Sequence, residues 1–476
     1  MSSPAPGATP AGPSAGPPGV SDVPREQRLI LWIAVLASFV SFLDGTIVNV
    51  ALPAIVEELG GGIATQQWTV DAYLLTLGAF ILVAGSVSDT YGRIRVIRWG
   101  LVGFGVTSVL IALAPSAPVL IVARLLQGIA GAMLVPSSLA LITSNFRGAA
   151  QAKAIGTWTG LTSAAMVAGP IIGGLFVDLA SWRLAFLINV LPIAATLWLL
   201  TRLTQRDVRR ADARVDYVGA VLCVVGLGGV VFALIEEPNL GWASPLVWLP
   251  GLVGAASLAG FLWWQTRAPA PMLPLGLFRV RNFAWGNLAT WLIYGALSLN
   301  GFVIVVYLQE QAGLSATAAG LTTLPITILM ILLSPRMGAL AGTLGPRLFM
   351  TAGPLIMAVG SLMMLLVSED LNLWWQLLPG VVVFGFGLTV TVSPLTAAIL
   401  GAIEPERSGI ASATNNAVSR IAGLIAIAGV AAIVGGELDL GGFHRAMVAT
   451  AVAMALGGLV SWLGIRNPAP PAEATT

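Results

Sequence analysis

Two ionisable side chains lie deep inside apolar segments of this 476-residue chain. Asp44 lies about nine residues from the end of segment 28–53, so it is roughly 13 Å deep at 1.5 Å per helical residue. Arg124 enters segment 118–142 from the same side, roughly 9 Å deep by the same rise. A charge in hydrocarbon costs about 2.5–3.5 kcal/mol, so both side chains need a cavity and a partner. Their similar depths allow them to pair directly or through water.

This pair has two interpretations. Burial opposes the charge on Asp44 and a neighbouring arginine supports it, so a substrate that changes the balance could move a proton. The alternative is a fixed ion pair that only joins two helices. Asp71 is shallower, about one turn into segment 67–87, and is either a third coupling residue or a carboxylate at a helix start. Glu310 follows segment 284–308 and is predicted to be a solvated loop residue.

Polar residues also recur at helical spacing within two segments of the second half of the chain. One face of segment 409–434 carries Ser412, Asn415, Asn416, Ser419 and Arg420, and one face of segment 284–308 carries Asn287, Thr290, Trp291, Tyr294 and Ser298. Polar faces turned to lipid are costly, so they either bond neighbouring helices or line a wet cavity. The candidates for lining a cavity are Ser41, Asn49, Gln127, Asn287, Trp291, Tyr294, Asn415, Asn416 and Arg420.

The elements that position these residues are membrane-spanning helices. The chain is 57% hydrophobic and 9% charged, against roughly 25% charged residues in a soluble domain. Apolar runs of about 20 residues, each long enough to cross about 30 Å of hydrocarbon, recur fourteen times. The predicted spans are 28–53, 67–87, 96–115, 118–142, 153–177, 184–203, 216–235, 245–265, 284–308, 316–335, 348–367, 373–399, 409–434 and 443–465.

The basic residues predict how the spans are oriented. Nineteen Lys or Arg fall in segments on the side of both termini, against two in the loops opposite. By the positive-inside rule, both termini are cytoplasmic in a multi-pass protein of the bacterial inner membrane. The predicted organisation is a disordered tail (1–27), a six-helix half (28–203), a basic loop (204–215), two additional helices (216–266), a linker (267–283), a second six-helix half (284–466) and a second tail (467–476).

Several functional classes are disfavoured. The chain has one cysteine and one histidine, Cys223 and His444, so it lacks an internal disulfide and a set of catalytic metal ligands. It has no P-loop motif, so ATP-driven transport is unsupported. A weak repeat places similar glycine-containing turns at 85–95 and 338–347. Internal repeats are typical of carriers whose two halves move about a central site, and they argue against a channel.

Five motifs in order resemble the fourteen-helix drug:proton antiporter branch of the major facilitator superfamily. They are the run Leu43–Pro53, the loop motif of Gly85, Asp89, Gly92, Arg93 and Arg95, the fourth-helix residues Arg124, Gln127, Gly128 and Gly131, the fifth-helix residues Gly156, Gly169, Pro170, Gly173 and Gly174, and the group Trp182, Arg183, Asn189 and Pro192. Ala165 stands where a glycine is common, and Gly342 replaces the acid of the second loop motif.

The resemblance implies a major facilitator fold with two six-helix halves and two additional central helices. It implies that the loop motif and Gly169, Pro170, Gly173 and Gly174 act as a conformational gate, whereas a proline kink is the simpler interpretation of the latter. The expected function is proton-coupled export of lipophilic, cationic or neutral drugs by a monomer that contacts membrane lipid, without a cofactor or nucleic acid. An exporter of lipids, siderophores or an endogenous metabolite is the alternative, since fold does not decide the substrate.

Overall fold

The computed structural model of the protein describes residues 25–204, 207, 214–404 and 407–467. These residues form helices and connecting turns without a β-strand, which confirms the all-α prediction. Residues 1–24, 468–476 and most of the basic loop lie outside the described residues. Residues 25–27, which we assigned to the first tail, instead begin the first helix, where the Gln27 side chain donates a hydrogen bond to the Asn145 carbonyl at 3.1 Å.

Thirteen of the fourteen predicted spans correspond to described helices that are long and apolar enough to cross a membrane. The remaining span, predicted at 409–434, corresponds to the consecutive helices Ser408–Ala428 and Val430–Val434. Spans 1 to 14 are Arg25–Leu59, Gly62–Tyr91, Arg93–Ala112, Ala117–Asn145, Gly148–Leu179, Arg183–Thr201, Tyr217–Leu240, Pro245–Gln265, Arg281–Glu310, Ala316–Leu344, Pro346–Leu366, Leu373–Leu400, Ser408–Ala428 with Val430–Val434, and Leu440–Gly464.

Span 13 carries the polar stripe, and its helix is interrupted at Gly429 between Ser408–Ala428 and Val430–Val434. Discontinuous helices in transporters expose backbone groups that can bind polar partners. The structure uses this property, because the Gln67 amide of span 2 donates to the carbonyls of Ile427 and Ala428 at 2.7 and 2.9 Å.

The spans pack in two groups with a pair beside them. Spans 1–6 pack mainly among themselves, and so do spans 9–14. Spans 1, 2 and 5 of the first group meet spans 9, 10 and 13 of the second. Spans 7 and 8 pack on each other, and span 7 also contacts spans 2 and 13. We refer to spans 1–6 and 9–14 as the N-terminal and C-terminal halves, although the division into domains stays a prediction.

The helix bundle has two opposite faces, the terminal side and the distal side. The terminal side is the side on which span 1 begins at Arg25 and span 14 ends at Gly464. The distal side is the opposite one. Turns on the terminal side join spans 2 and 3 at Gly92, with φ of 99°, and spans 10 and 11 at Gly345, with φ of 85°. Positive φ favours glycine, so these two turns have the same kind of backbone conformation at equivalent places in the two halves.

Candidate functional site

Asp44 and Arg124 form a direct ion pair in the middle of the N-terminal half. The Oδ2 atom of Asp44 on span 1 lies 2.6 Å from Nη1 of Arg124 on span 4, and both side chains are fully buried. The sequence left direct pairing and pairing through water open, and the structure shows direct pairing. Removing one partner of a buried ion pair commonly costs about 3–5 kcal/mol, because the remaining charge has no compensation.

The other carboxyl oxygen of Asp44 is held by amides. Its Oδ1 accepts from Nε2 of Gln127 at 3.3 Å and from Nδ2 of Asn189 at 3.1 Å. Both amide nitrogens also approach the Ser108 hydroxyl oxygen, at 3.0 and 3.5 Å respectively. Spans 1, 3, 4 and 6 therefore converge on one carboxyl group through side chains that are all fully buried.

Arg124 has further acceptors besides Asp44. Its Nε donates to the Thr69 carbonyl at 2.9 Å, and its Nη1 donates to Oε1 of Gln127 at 2.7 Å. Its guanidinium carbon lies 4.4 Å from the centre of the Tyr73 ring and 5.7 Å from that of Phe186, within the range of cation–π contacts. The guanidinium would therefore keep several contacts if it left the carboxylate.

The predicted surroundings of Asp71 are wrong. Span 2 begins at Gly62 rather than near residue 67, so Asp71 lies well inside the helix, and its side chain is fully buried. It occupies the same helical face as Gln67 and Gly78, which contact span 13. Neither carboxyl oxygen of Asp71 has a hydrogen-bond partner in the structure. It is therefore a buried carboxyl group at the interface of the two halves, not a water-exposed residue at a helix start.

Glu310 is exposed at the distal end of span 9, as predicted, although it is the last helical residue rather than a loop residue. Its Oε1 accepts a hydrogen bond from Nε2 of Gln66 on span 2. This contact joins the two halves on the distal side. Sequence alone gave no reason to pair the two positions, because they are separated by more than half of the chain.

The polar stripes of spans 9 and 13 meet each other. Nδ2 of Asn415 donates to Oδ1 of Asn287 at 3.1 Å and to the Thr290 hydroxyl at 2.9 Å. At this level the stripes thus make contacts between helices. Asn416 is exposed and Trp291 is 38% exposed, whereas Tyr294 and Arg420 are partly buried.

Arg420 lies on the face of span 13 that packs against span 2, where a Cβ on Gly78 would lie 3.6 Å from the Arg420 Cβ. The remaining cavity candidates lie on span 1, where Ser41 is buried without a partner for its hydroxyl oxygen and Asn49 is partly exposed. The structure therefore brings Gln127 into the ion-pair cluster, and it leaves the cavity roles of the other candidates as predictions.

The loop motif organises the terminal side of the N-terminal half. Asp89 lies 3.2 Å from Arg93, and Arg93 donates to the Ala140 carbonyl at 2.9 Å. Gly85 and Arg95 are exposed, and Gly92 provides the positive-φ turn. These contacts lie within one half.

One residue of the basic loop completes this motif. The Asp207 carboxylate accepts from the backbone N–H groups of Ile94 and Arg95 at 3.1 and 2.9 Å, so it caps the start of span 3. A Cβ on Gly92 would lie 2.3 Å from the Asp207 carboxylate, so the close approach needs a glycine. We did not single out Asp207 from the sequence, where an isolated acid in a basic loop carries no positional signal.

The glycines of span 5 face two different partners. A Cβ on Gly169 would meet Thr46, and a Cβ on Gly173 would meet Ile47 and Val50, all within span 1 of the same half. A Cβ on Gly174 would instead lie 2.5 Å from the Thr317 Cα of span 10, in the other half.

The contact between spans 5 and 10 is continued on both sides of Gly174. A Cβ on Gly320 would lie 2.8 Å from the carbonyl oxygen of Pro170. The Asp178 carboxylate at the end of span 5 accepts from the N–H groups of Ala316 and Thr317 at 2.9 Å each, capping span 10 across the interface. Sequence reasoning missed Asp178 and Gly320, because neither belongs to a motif.

The hydrogen bonds that join the halves through Gln66, Gln67 and Asp178 lie on the distal side. On the terminal side, the second half of span 10 is largely exposed, as are many residues at the start of span 5. The structure is therefore closed between the halves on the distal side. Together, the thirteen described helices of membrane-crossing length and the buried ion pair define a multi-pass membrane protein with a charged centre.

Comparison with known proteins identifies the family. Residues 34–427 match the model of the Major Facilitator Superfamily, and the chain belongs to that superfamily. It is 35% identical over 413 residues to the multidrug resistance protein Stp of Mycobacterium tuberculosis, covering 85% of this chain and 75% of that protein. It is 31% identical over 411 residues to the multidrug export protein EmrB of Escherichia coli, covering 84% and 78% of the two proteins.

Solved structures show the same fold at low identity. A crystal structure of the peptide transporter POT superposes with a TM-score of 0.70 at 14% identity, covering 94% of this chain and 95% of the other. The major facilitator fold is confirmed. The chain is thus a multi-pass membrane transporter of this superfamily, and its relatives are bacterial drug-efflux proteins of the inner membrane.

Proposed function

We propose that this protein exports lipophilic, cationic or neutral small molecules across the inner membrane in exchange for protons, by alternating access. The observation that carries the proposal is the buried ion pair of Asp44 and Arg124, 2.6 Å apart with no exposed surface. Ionisable residues buried at membrane depth commonly mark ion paths. The names of the similar resistance and export proteins support drugs as the substrate class.

The contacts of Arg124 support a role for Asp44 in proton exchange. A carboxylate that takes up a proton loses most of its attraction to the guanidinium. Arg124 then retains the Thr69 carbonyl, Oε1 of Gln127 and the Tyr73 ring, so separation does not leave a bare buried cation. This arrangement favours a pair that opens and closes over a permanently fixed one.

Asp71 supplies a link between protonation and the movement of the halves. In the distally closed structure its two carboxyl oxygens are buried without donors, on the face of span 2 where Gln67 and Gly78 contact span 13. An unpaired buried carboxylate is costly, so the neutral form suits the closed interface and the ionised form suits a separated one. Asp71 would therefore release its proton when spans 2 and 13 separate on the distal side.

The side on which the two halves are closed supports export. The positive-inside rule predicts that the terminal side is cytoplasmic. A molecule closed on the distal side then receives its substrate from the cytoplasm. In our proposal the substrate enters from the terminal side and meets polar and aromatic residues at the end of its path, namely Trp291, Tyr294, Asn416 and Arg420.

The test is efflux of ethidium, a lipophilic cation, from everted vesicles with and without an imposed proton gradient. We expect gradient-dependent transport by the wild-type protein and its loss in Asp44→Asn, which preserves size while removing the exchangeable proton. The matched control is Asn300→Asp, the opposite substitution of an amide by an acid. It adds a carboxyl group in span 9 outside the Asp44 cluster. Equal flux after the gradient is collapsed would refute proton coupling. Gradient-driven flux in Asp44→Asn would show that Asp44 is structural.

A further inference from the structure

The two carboxyl oxygens of Asp44 have different surroundings. Oδ2 contacts Arg124, whose guanidinium has other acceptors available. Oδ1 contacts two amide donors, from Gln127 and Asn189. The Ser108 hydroxyl lies within hydrogen-bond distance of both amide nitrogens and ties them together. Oδ2 therefore has a charged partner, whereas Oδ1 has two neutral partners that Ser108 holds together. The carboxyl group can change its charge at Oδ2 while Oδ1 keeps its position.

The position of Asn189 is set by a break in span 6. The helix Arg183–Leu187 ends before it, and Val190–Thr201 begins after it. Pro192 has no N–H group to donate to the carbonyl one turn earlier, at Ile188, so the helix is locally loosened there. The Leu191 N–H instead bonds the Ile188 carbonyl at 3.2 Å, a tighter turn. Asn189 therefore projects its side chain from a backbone distortion that the neighbouring proline maintains.

The titratable groups on the elements around this carboxyl group are few among the described residues. Arg124 of span 4 contacts it, and Tyr73 of span 2 lies against the Arg124 guanidinium, while span 2 also carries the buried Asp71. Spans 5, 6 and 9, which also pack on span 1, carry Asp178, Arg183 and Glu310 at their distal ends and Lys153 and Arg281 near the terminal side, away from Asp44.

We propose that Asn189, supported by Ser108, is a positioning residue that holds Oδ1 of Asp44 in both protonation states, so that only Oδ2 exchanges Arg124 for a proton. The inference rests on the proposed proton exchange at Asp44. In the exchange, the hydrogen bond from Arg124 Nη1 to Oδ2 breaks and an O–H bond forms at Oδ2 with a proton delivered by water. Arg124 keeps its own charge and its bonds to Thr69 and Gln127, while Oδ1 continues to accept from the two amides.

The measurement is an infrared pH titration of the full-length protein in lipid nanodiscs. The C=O band of protonated Asp44 is assigned as the band that Asp44→Asn removes. Asn189→Leu, similar in size but without a donor, removes a hydrogen bond that stabilises the carboxylate more than the acid. We therefore expect the C=O band to move to higher frequency, because the carboxyl oxygen has lost a hydrogen-bond donor.

The control is Asn300→Leu, which alters an equally buried amide of span 9 whose Oδ1 has no partner, outside the contacts of Asp44. It should leave the band unchanged. Ser108→Ala removes a single oxygen and should shift the band frequency in the same direction by a smaller amount, which keeps the test available if Asn189→Leu fails to fold.

Three outcomes overturn the inference. A titrating Asp44 band that is unchanged in both Asn189→Leu and Ser108→Ala would refute the positioning role while leaving the proposed function intact. A shift as large in Asn300→Leu would show a general effect of buried amides. The absence of any titrating band lost in Asp44→Asn would refute the proposed function together with this inference.

Discussion

The glycine contact between spans 5 and 10 gives a sharp test of alternating access. In Gly174→Ala the new methyl group would lie 2.5 Å from Cα and 2.6 Å from the backbone nitrogen of Thr317. Carbon atoms in van der Waals contact are about 3.5–4.0 Å apart. The obstructing atoms are backbone atoms, so no side-chain rotation relieves the overlap. Spans 5 and 10 must therefore separate by about 1 Å on the distal side.

The size of the effect follows from this overlap. Overpacking of a close contact typically costs about 1–3 kcal/mol. Because the contact joins the two halves, the cost falls on the distally closed arrangement and not on one in which spans 5 and 10 have separated. The ratio of closed to open molecules should then fall by roughly 5- to 150-fold.

Two further glycines of span 5 serve as matched controls. Gly160→Ala adds the same methyl group where no atom lies within 4 Å, so it should not change the equilibrium. Gly173→Ala places its methyl group 2.6 Å from Ile47 within the N-terminal half, so it should lower thermal stability without opening the distal side.

The assay is the distance between spin labels on the two halves. Cysteines replacing Leu179, which is 80% exposed, and the exposed Gln311 lie at the distal ends of spans 5 and 9. In a background with Cys223→Ser, pulsed electron paramagnetic resonance should show a longer distance population in Gly174→Ala. A distribution identical to that of Gly160→Ala would refute the assignment of this contact to the closed state.

Three other predictions address the remaining features. Arg124→Ala should shift the pH dependence of ethidium efflux and Arg124→Lys should restore part of it; failure of both variants to fold, followed by size-exclusion chromatography, would favour a fixed structural pair. Asp178→Ala should open the distal side by roughly 2- to 30-fold in the same spin-label assay, because loss of a helix cap costs about 0.5–2 kcal/mol, whereas an unchanged distance would show that the cap contributes nothing to closure. Single cysteines along 220–234 and 246–262 should resist water-soluble thiol reagents if spans 7 and 8 lie outside the transport route, and two or more reactive positions that substrate shields would place the pair on it.

The sequence by itself determined the class of structure. Fourteen apolar runs of membrane-crossing length leave helices as the available elements, because backbone groups in lipid must bond within their own segment. It also determined that Asp44 and Arg124 lie at similar depths, because depth depends only on residue number along a helix. The motifs then identified the superfamily from positions that are local in the chain.

The tertiary structure decided which helical faces meet. Periodicity assigns Asp71 to a face of span 2, but only packing against span 13 shows that this face is sealed. The sequence likewise treats Gly173 and Gly174 alike, although adjacent helical positions differ by about 100° and so contact different halves. Asn189 reaches Asp44 from 145 residues away. Such partners depend on how remote spans cross, and no local pattern in a single chain encodes that crossing.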